Sequence, residues 1–340
     1  GPYNGSRTQK GGRITERTEI LPLFGGLALF LFGMDRMSEA LQQAAGERLR
    51  RALAALTRTP LTGALAGMVV TAVVQSSSAT TVMVIGFVSA GLLELPQAVA
   101  VIFGANIGTT VTAQLLAFRV EEMLGLVLFG GFFLCAVART KRGRQMGTAV
   151  FSFGLLFAGM EQIQSVVEPL ALRPEFEAWM AQVREKPLWG LLLGLGMTLV
   201  VQSSSATIGV LQGVARQAGP DGVHSLLGLA GAVPVLLGDN VGTTITAILA
   251  AAGGTRDAKR AAAAHCCFNL SGSLVCLLAL PWFVRLVELL PPEGEELEII
   301  ARQIANAHTL FNALCTLIWL PLTPLMVRLV TTLVPEKRTE

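Results

Sequence analysis

Charge is what this chain has least of: 14% of its 340 residues are Asp, Glu, Lys or Arg, tyrosine occurs once and histidine three times. A water-soluble domain carries about a quarter charged residues, so an ordinary soluble surface is excluded. The net charge of +3 supplies no basic patch interleaved with aromatics, which excludes nucleic acid as a partner. Three histidines and scattered carboxylates show no ligand spacing for a transition metal. The five cysteines, Cys135, Cys266, Cys267, Cys276 and Cys315, all fall in apolar stretches and read as packing residues, with Cys266 or Cys267 lining a cavity as the alternative. Enzyme chemistry has no foothold either. No Gly-x-Ser-x-Gly elbow surrounds the serines, and Gly108-Thr109-Thr110 lacks the lysine of a phosphate-binding loop. A cleavable signal peptide is not apparent, and residues 1–19 are set aside as an N-terminal tail.

What is present is apolar. Hydrophobic residues make up 52% of the chain, mean hydropathy is +0.59, and 36 glycines suit close helix contact in lipid. Segments 20–42, 97–118, 121–138, 146–168, 224–252, 260–285 and 299–330 are long enough to cross a hydrocarbon core of roughly 30 Å as helices.

Two phrases occur twice. Gln75-Ser76-Ser77-Ser78-Ala79-Thr80 returns as Gln202-Ser203-Ser204-Ser205-Ala206-Thr207, each preceded at the same distance by Pro60-Leu61 and Pro187-Leu188. Gly104-Ala105-Asn106-Ile107-Gly108-Thr109-Thr110 returns as Gly238-Asp239-Asn240-Val241-Gly242-Thr243-Thr244. Leu31-Phe32-Gly33-Met34-Asp35 and Phe157-Ala158-Gly159-Met160-Glu161 open the two copies, and Asp35 and Glu161 are expected near helix ends or beside a buried partner. The boundaries predicted are a first repeat over 20–145, a second over 146–252, and C-terminal transmembrane helices and tail over 253–340. Segments 60–91 and 187–217 carry polar residues at their centres, so each half has about 15 residues, or roughly 22 Å. That is short for a crossing and predicts re-entrant hairpins with the serines near the midplane.

Counting crossings puts Arg48, Arg50, Arg51, Arg58, Arg139, Lys141, Arg142, Arg144, Arg256, Lys259, Arg260, Lys337 and Arg338 on one side. Arg119, Arg173, Arg184, Lys186, Arg216, Arg285 and Arg302 fall on the other. The positive-inside rule makes the first side, with the C-terminus, cytoplasmic. One hairpin then opens to each side. The expected fold is an all-α integral membrane protein of two inverted-topology repeats, each with a re-entrant helical hairpin and a broken transmembrane helix.

Each serine tip offers hydroxyls, free N–H groups and about half a positive charge from the following helix. Two such tips facing each other form an anion site without Lys or Arg, suited to a tetrahedral oxyanion. Neutral donors leave the anion's charge uncompensated, so co-bound cations are expected. Oxygen ligands from Gln75, Asn106, Thr109, Thr110, Gln202, Asn240, Thr243 and Thr244 suit Na⁺. Asp239, where the first repeat has Ala105, is expected to ligate a cation, carry a proton or pair with another buried group. The bland alternative has the serines and threonines bonding their own backbones, the glycine phrases serving as packing kinks, and His265 and His308 as structural residues.

The paired Gln-Ser-Ser-Ser-Ala-Thr, the Gly-Ala-Asn-Ile-Gly-Thr-Thr phrase, and His265-Cys266-Cys267-Phe268-Asn269 with His308-Thr309-Leu310-Phe311-Asn312 resemble the type II sodium–phosphate cotransporters in their bacterial branch. The resemblance covers roughly residues 20–330. It implies sodium-coupled symport of inorganic phosphate by alternating access, with phosphate held by Gln75, Ser76, Ser77, Ser78, Gln202, Ser203, Ser204 and Ser205. Sodium sites would draw on these tips and the neighbouring Asn and Thr positions. The implied partners are phosphate, sodium ions and the lipid bilayer of a bacterial inner membrane, with a homo-oligomer left open; no cofactor is needed beyond co-transported Na⁺. The rival readings are an uncoupled anion facilitator or phosphate exporter, and a non-transporting phosphate sensor.

Overall fold

The computed structural model describes residues 11–45, 59–118 and 123–336. Arg48, Arg50, Arg51, Arg58, Arg119, Lys337 and Arg338 of the charge count lie outside the described residues, as do the first ten residues of the tail. Within them the chain is almost wholly helical, and the one extended pairing is an isolated bridge between Ala218 and Ser225. Four helical stretches are long and apolar enough to cross a membrane, and five if a bent pair near the C-terminus counts as one.

The first long helix, α1 (Gly11–Ala45), packs along α6 (Lys141–Ala171). Between them run α2 (Pro60–Val74), α3 (Ser77–Ser89), α4 (Leu95–Leu116) and α5 (Leu124–Val137). A second series follows: α7 (Pro174–Glu185), α8 (Pro187–Val201), α9 (Ser204–Ala215), α10 (Gly228–Gly242) and α11 (Thr244–Ala251). The chain closes with α12 (Arg256–Leu278), α13 (Leu280–Glu288), α14 (Glu296–Trp319) and α15 (Thr323–Leu333). Proline opens many of these helices, because its locked φ suits the first turn and its missing N–H would be unpaired there anyway. At α2 a capping box between Thr59 and Thr62 adds to Pro60.

Three expected spans differ from what forms. Segment 260–285 is two helices, because Pro281 lies just past the end of α12 at Leu278 and serves instead as an opening residue of α13. Segment 299–330 bends by 88° between α14 and α15, where Pro321 and Pro324 deny the ladder two donors. Segment 121–138 yields the 14-residue α5, only about 21 Å long. The short amphipathic α7, with Trp179 70% exposed, was not anticipated.

The doubled phrases become doubled packing. Helix α2 lies on α4, and α8 lies on α10, each pair at backbone contact. A methyl group on Gly104 would strike the carbonyl of Ala64, and one on Gly238 the carbonyl of Leu191. Glycine at these seams lets two helices approach until main chains touch, the packing mode that membrane helices use in place of hydrophobic burial. A large apolar core gathers α4, α10, α12 and α14 around Phe103, Phe268, Phe311, Leu236 and Leu237, while Phe30, Leu156 and Ile163 centre a second core between α1 and α6.

Candidate functional site

Each doubled serine phrase folds the same way. Gln75 ends α2 in the left-handed region (φ 58°, ψ 25°), with its N–H on the carbonyl of Thr71 at 2.7 Å. Gln202 ends α8 likewise (φ 55°, ψ 25°), bonded to Thr198 at 2.7 Å. They are the two non-glycine residues with positive φ among those described. That conformation costs a side-chain-bearing residue about 1 kcal/mol or more, and it recurs at matching positions of the two phrases.

The next residue is extended and caps the following helix. Ser76 Oγ accepts from Ala79 N at 3.2 Å, and Ser203 Oγ from Ala206 N at 3.3 Å. Thr80 N and Thr207 N reach the carbonyls of Ser76 and Ser203. By helix geometry the amides of Ser77, Ser78, Ser204 and Ser205 then point out of the helix start, where the macrodipole is positive. The halves are braced by hydroxyl pairs, Thr71–Thr80 at 2.9 Å and Thr198–Thr207 at 3.0 Å.

Both tips line one cavity of about 340 Å³. Gln75, Ser76, Ser77 and Ser78 form part of its wall, Gln202, Ser203, Ser204 and Ser205 another, and Thr109 joins them from α4. Leu31, Met34, Asp35 and Ser38 of α1 and Val201 complete it. Ser38 anchors α1 to the first tip by donating to the carbonyl of Val74 at 2.7 Å. Asp35 is the one charged residue in the lining. The expectation that Asp35 and Glu161 sit near helix ends or beside a buried partner is corrected: both are exposed residues inside long helices. Gly33 and Gly159 before them are close-approach residues, packed against the backbones of Ser152 and Phe30, and break nothing.

Of the expected cation ligands outside the tips, Thr109 reaches this cavity. Thr110, Thr243 and Thr244 turn their hydroxyls to their own helices, on the carbonyls of Ile107, Asn240 and Val241 at 2.7–2.8 Å. Asn106 Oδ1 faces His265 Nε2 at 3.3 Å and accepts from Asn269 at 3.5 Å. Asn240 Oδ1 accepts from Asn312 at 3.4 Å. The two asparagines therefore tie α4 to α12 and α10 to α14, so each glycine phrase meets one of the C-terminal His-x-x-x-Asn phrases. Asp239, fully buried, accepts from Thr198. No group of three or more His, Cys, Asp or Glu side chains fit to hold a metal occurs among the described residues.

Two threonines outside the expected set touch the first tip. Thr112 Oγ1 donates to Gln75 Oε1 at 2.8 Å, and the hydroxyls of Thr246 and Ser78 lie 3.2 Å apart. Each stands two residues past the end of its glycine phrase, the one sequence signal that would have found them.

The family model described as Na+/Pi-cotransporter matches twice, over residues 29–165 and 167–313. A Bacillus subtilis (strain 168) relative, "Uncharacterized protein YqeW", is 34% identical over 81% of this chain and 87% of its own length. "Putative inorganic phosphate export protein YjbB" of Escherichia coli (strain K12) is 28% identical over 76% of this chain, which spans 46% of that protein. "Sodium-dependent phosphate transport protein 2A" of Rattus norvegicus is 37% identical over 32% of this chain and 18% of its own length. No solved structure matches.

Proposed function

Because the chain belongs to the Na+/Pi-cotransporter family, we propose that it is a secondary active transporter carrying inorganic phosphate with sodium by alternating access. One observation carries this reading: two helix starts rich in hydroxyls and N–H groups, from equivalent parts of a duplicated chain, line a single cavity. Phosphate would sit between the tips, accepting from Ser76, Ser77, Ser78, Ser203, Ser204 and Ser205 and from Gln75 or Gln202. Helix 60–74 with 77–89 and helix 187–201 with 204–215 are read as re-entrant hairpins of inverted repeats, with the C-terminus cytoplasmic in a bacterial membrane.

The charge argument requires the cation. A cavity with no Lys or Arg in its lining does not neutralise a doubly charged anion. Sodium held by tip carbonyls and hydroxyls, with Thr109 beside them, would lower the cost of moving the anion through a low-dielectric core. Asn106, Thr110, Asp239, Asn240, Thr243 and Thr244 lie off the cavity and would contribute to sodium binding only after rearrangement or through neighbouring sites.

The deciding experiment is radiolabelled phosphate uptake into proteoliposomes under an inward sodium gradient, compared with potassium. Accumulation above trapped-volume equilibrium only with sodium is expected. Equal, merely equilibrating flux in both would favour the export or facilitator reading, which the name of the Escherichia coli relative supports. Binding without flux would leave a sensor.

A further inference from the structure

We propose that Thr112 and Thr246 are positioning residues that latch the first serine tip, leaving Gln202 as the tip glutamine whose amide is free for a ligand. The argument starts from an asymmetry inside a symmetric pair. Gln75 and Gln202 share backbone conformation and sequence context, yet Gln75 is buried and Gln202 exposed. Both ends of the Gln75 amide are committed: Oε1 accepts from the buried Thr112 at 2.8 Å, and Nε2 donates to the carbonyl of Ala72. Gln202 has no side-chain partner among the described residues.

The repeat makes the asymmetry sharper. Thr246 is the counterpart of Thr112, so strict equivalence would set it on Gln202. Its hydroxyl lies 2.9 Å from the carbonyl of Thr243 and 3.2 Å from the hydroxyl of Ser78 in the first tip, so the second contact crosses from one repeat to the other, where α11 packs on α3. The first tip is thus held twice, once by its own repeat through Gln75 and once by the opposite repeat through Ser78. Among the described residues the second tip has neither latch.

A hydroxyl fixed in this way presents its remaining donor or lone pair in one direction, which makes the first tip a preorganised wall. The free amide on the second tip can turn toward whatever enters, supplying either a donor or an acceptor. The part of this proposal that concerns Gln202 rests on the phosphate reading above. The latch itself does not, since its bonds are internal to the protein.

Two measurements on the purified full chain test it. Hydrogen–deuterium exchange is compared between the parent and the variants Thr112→Val, Thr112→Ser, Thr246→Val and Thr246→Ser. The valine variants are expected to raise uptake over residues 75–80, with 202–207 unchanged and the serine variants at the parent level. Unchanged uptake over 75–80 in both valine variants, or an equal rise at both tips, overturns the latch. Equilibrium binding of radiolabelled phosphate is then measured in sodium. Thr246→Val is expected to raise the Kd about five- to tenfold, as one lost hydrogen bond does, and to add nothing in a Ser78→Ala background. An undiminished effect in that background overturns the assignment of Thr246. Gln202→Ala is expected to weaken binding without altering exchange over 75–80, and unaltered binding overturns its role. A parent protein that binds no phosphate would instead sink the transport reading, while the exchange data still decide the latch.

Discussion

Asp239 accepts a 2.6 Å hydrogen bond from Thr198, and its second carboxyl oxygen, Oδ2, is buried without a partner among the described residues. This joins the Gly-x-Asn helix of the second repeat to the hairpin that carries Gln202, through the same Thr198 that braces Thr207. In the first repeat the corresponding contact does not exist, because Ala105 stands opposite Thr71. A buried carboxyl with one idle oxygen is costly unless something else meets it.

Replacing Asp239 by its repeat counterpart is therefore informative. Asp239→Ala is expected to fold and to shift the half-saturating sodium concentration, or the pH dependence, of phosphate uptake by about fivefold or more. Uptake curves across sodium and pH check it, and curves overlaying the parent's would reduce Asp239 to a packing residue.

Ser77 and Ser204 each stand first in a tip helix and are largely buried. Ser77→Ala and Ser204→Ala should each weaken phosphate binding by one buried hydrogen bond, roughly 1–3 kcal/mol. Radioligand binding in sodium reads this out, and unchanged affinity in both variants would remove the tips from the site.

The seams between helices invite a stability test. Gly104→Ala and Gly238→Ala drive a methyl into a neighbouring backbone, so each is expected to cost several kcal/mol, about the scale of severe overpacking. Gly86→Ala in α3 meets open space and should be neutral or slightly stabilising, since alanine favours a helix by about 1 kcal/mol over glycine. Thermal unfolding in detergent compares them, and equal midpoints for all three would contradict the seam geometry.

In the loop between α9 and α10, the Asp221 carboxylate accepts from the amides of Val223 at 3.0 Å and His224 at 2.9 Å, and lies 2.6 Å from His224 Nδ1. The Val223 amide, then that of His224, holds the carboxyl well below its ordinary value of 3.8, and the hydrogen bond to Asp221 raises the imidazole above 6.5. The histidine's contribution to the loop is present below pH 6.5 and fades as pH rises through the raised value. The aspartate's is present above 3.8 and fades as pH falls through the lowered one. An NMR titration of His224 should show a midpoint that drops in Asp221→Ala and in high salt, since both groups are exposed. A midpoint indifferent to both would show that the pair does not form.

The tips were legible because serine runs in an apolar context have no cheap explanation and occur twice. The latch was not, since Thr112 and Thr246 look like any threonine in a membrane helix until the fold brings α4 and α11 against the first tip. Asp35 falls inside α1 and not at its end because Gly33 serves the close approach to α6 and leaves the helix continuous. The spans near the C-terminus failed for a readable reason: Pro281, Pro321 and Pro324 carried the break and hydropathy alone outvoted them. Paired glycines four apart, Gly63 with Gly67 and Gly104 with Gly108, lie along the first seam, and Gly190 with Gly194 and Gly238 with Gly242 along the second, a spacing that glycine abundance alone does not single out.

Those glycine seams also leave no room for water in the interfaces they close. Where main chain meets main chain, no side chain can rotate aside to admit a file of water, so an ion has no shortcut between a hairpin and its partner helix. Helices joined by such seams can enclose a wet cavity without opening a second path beside it.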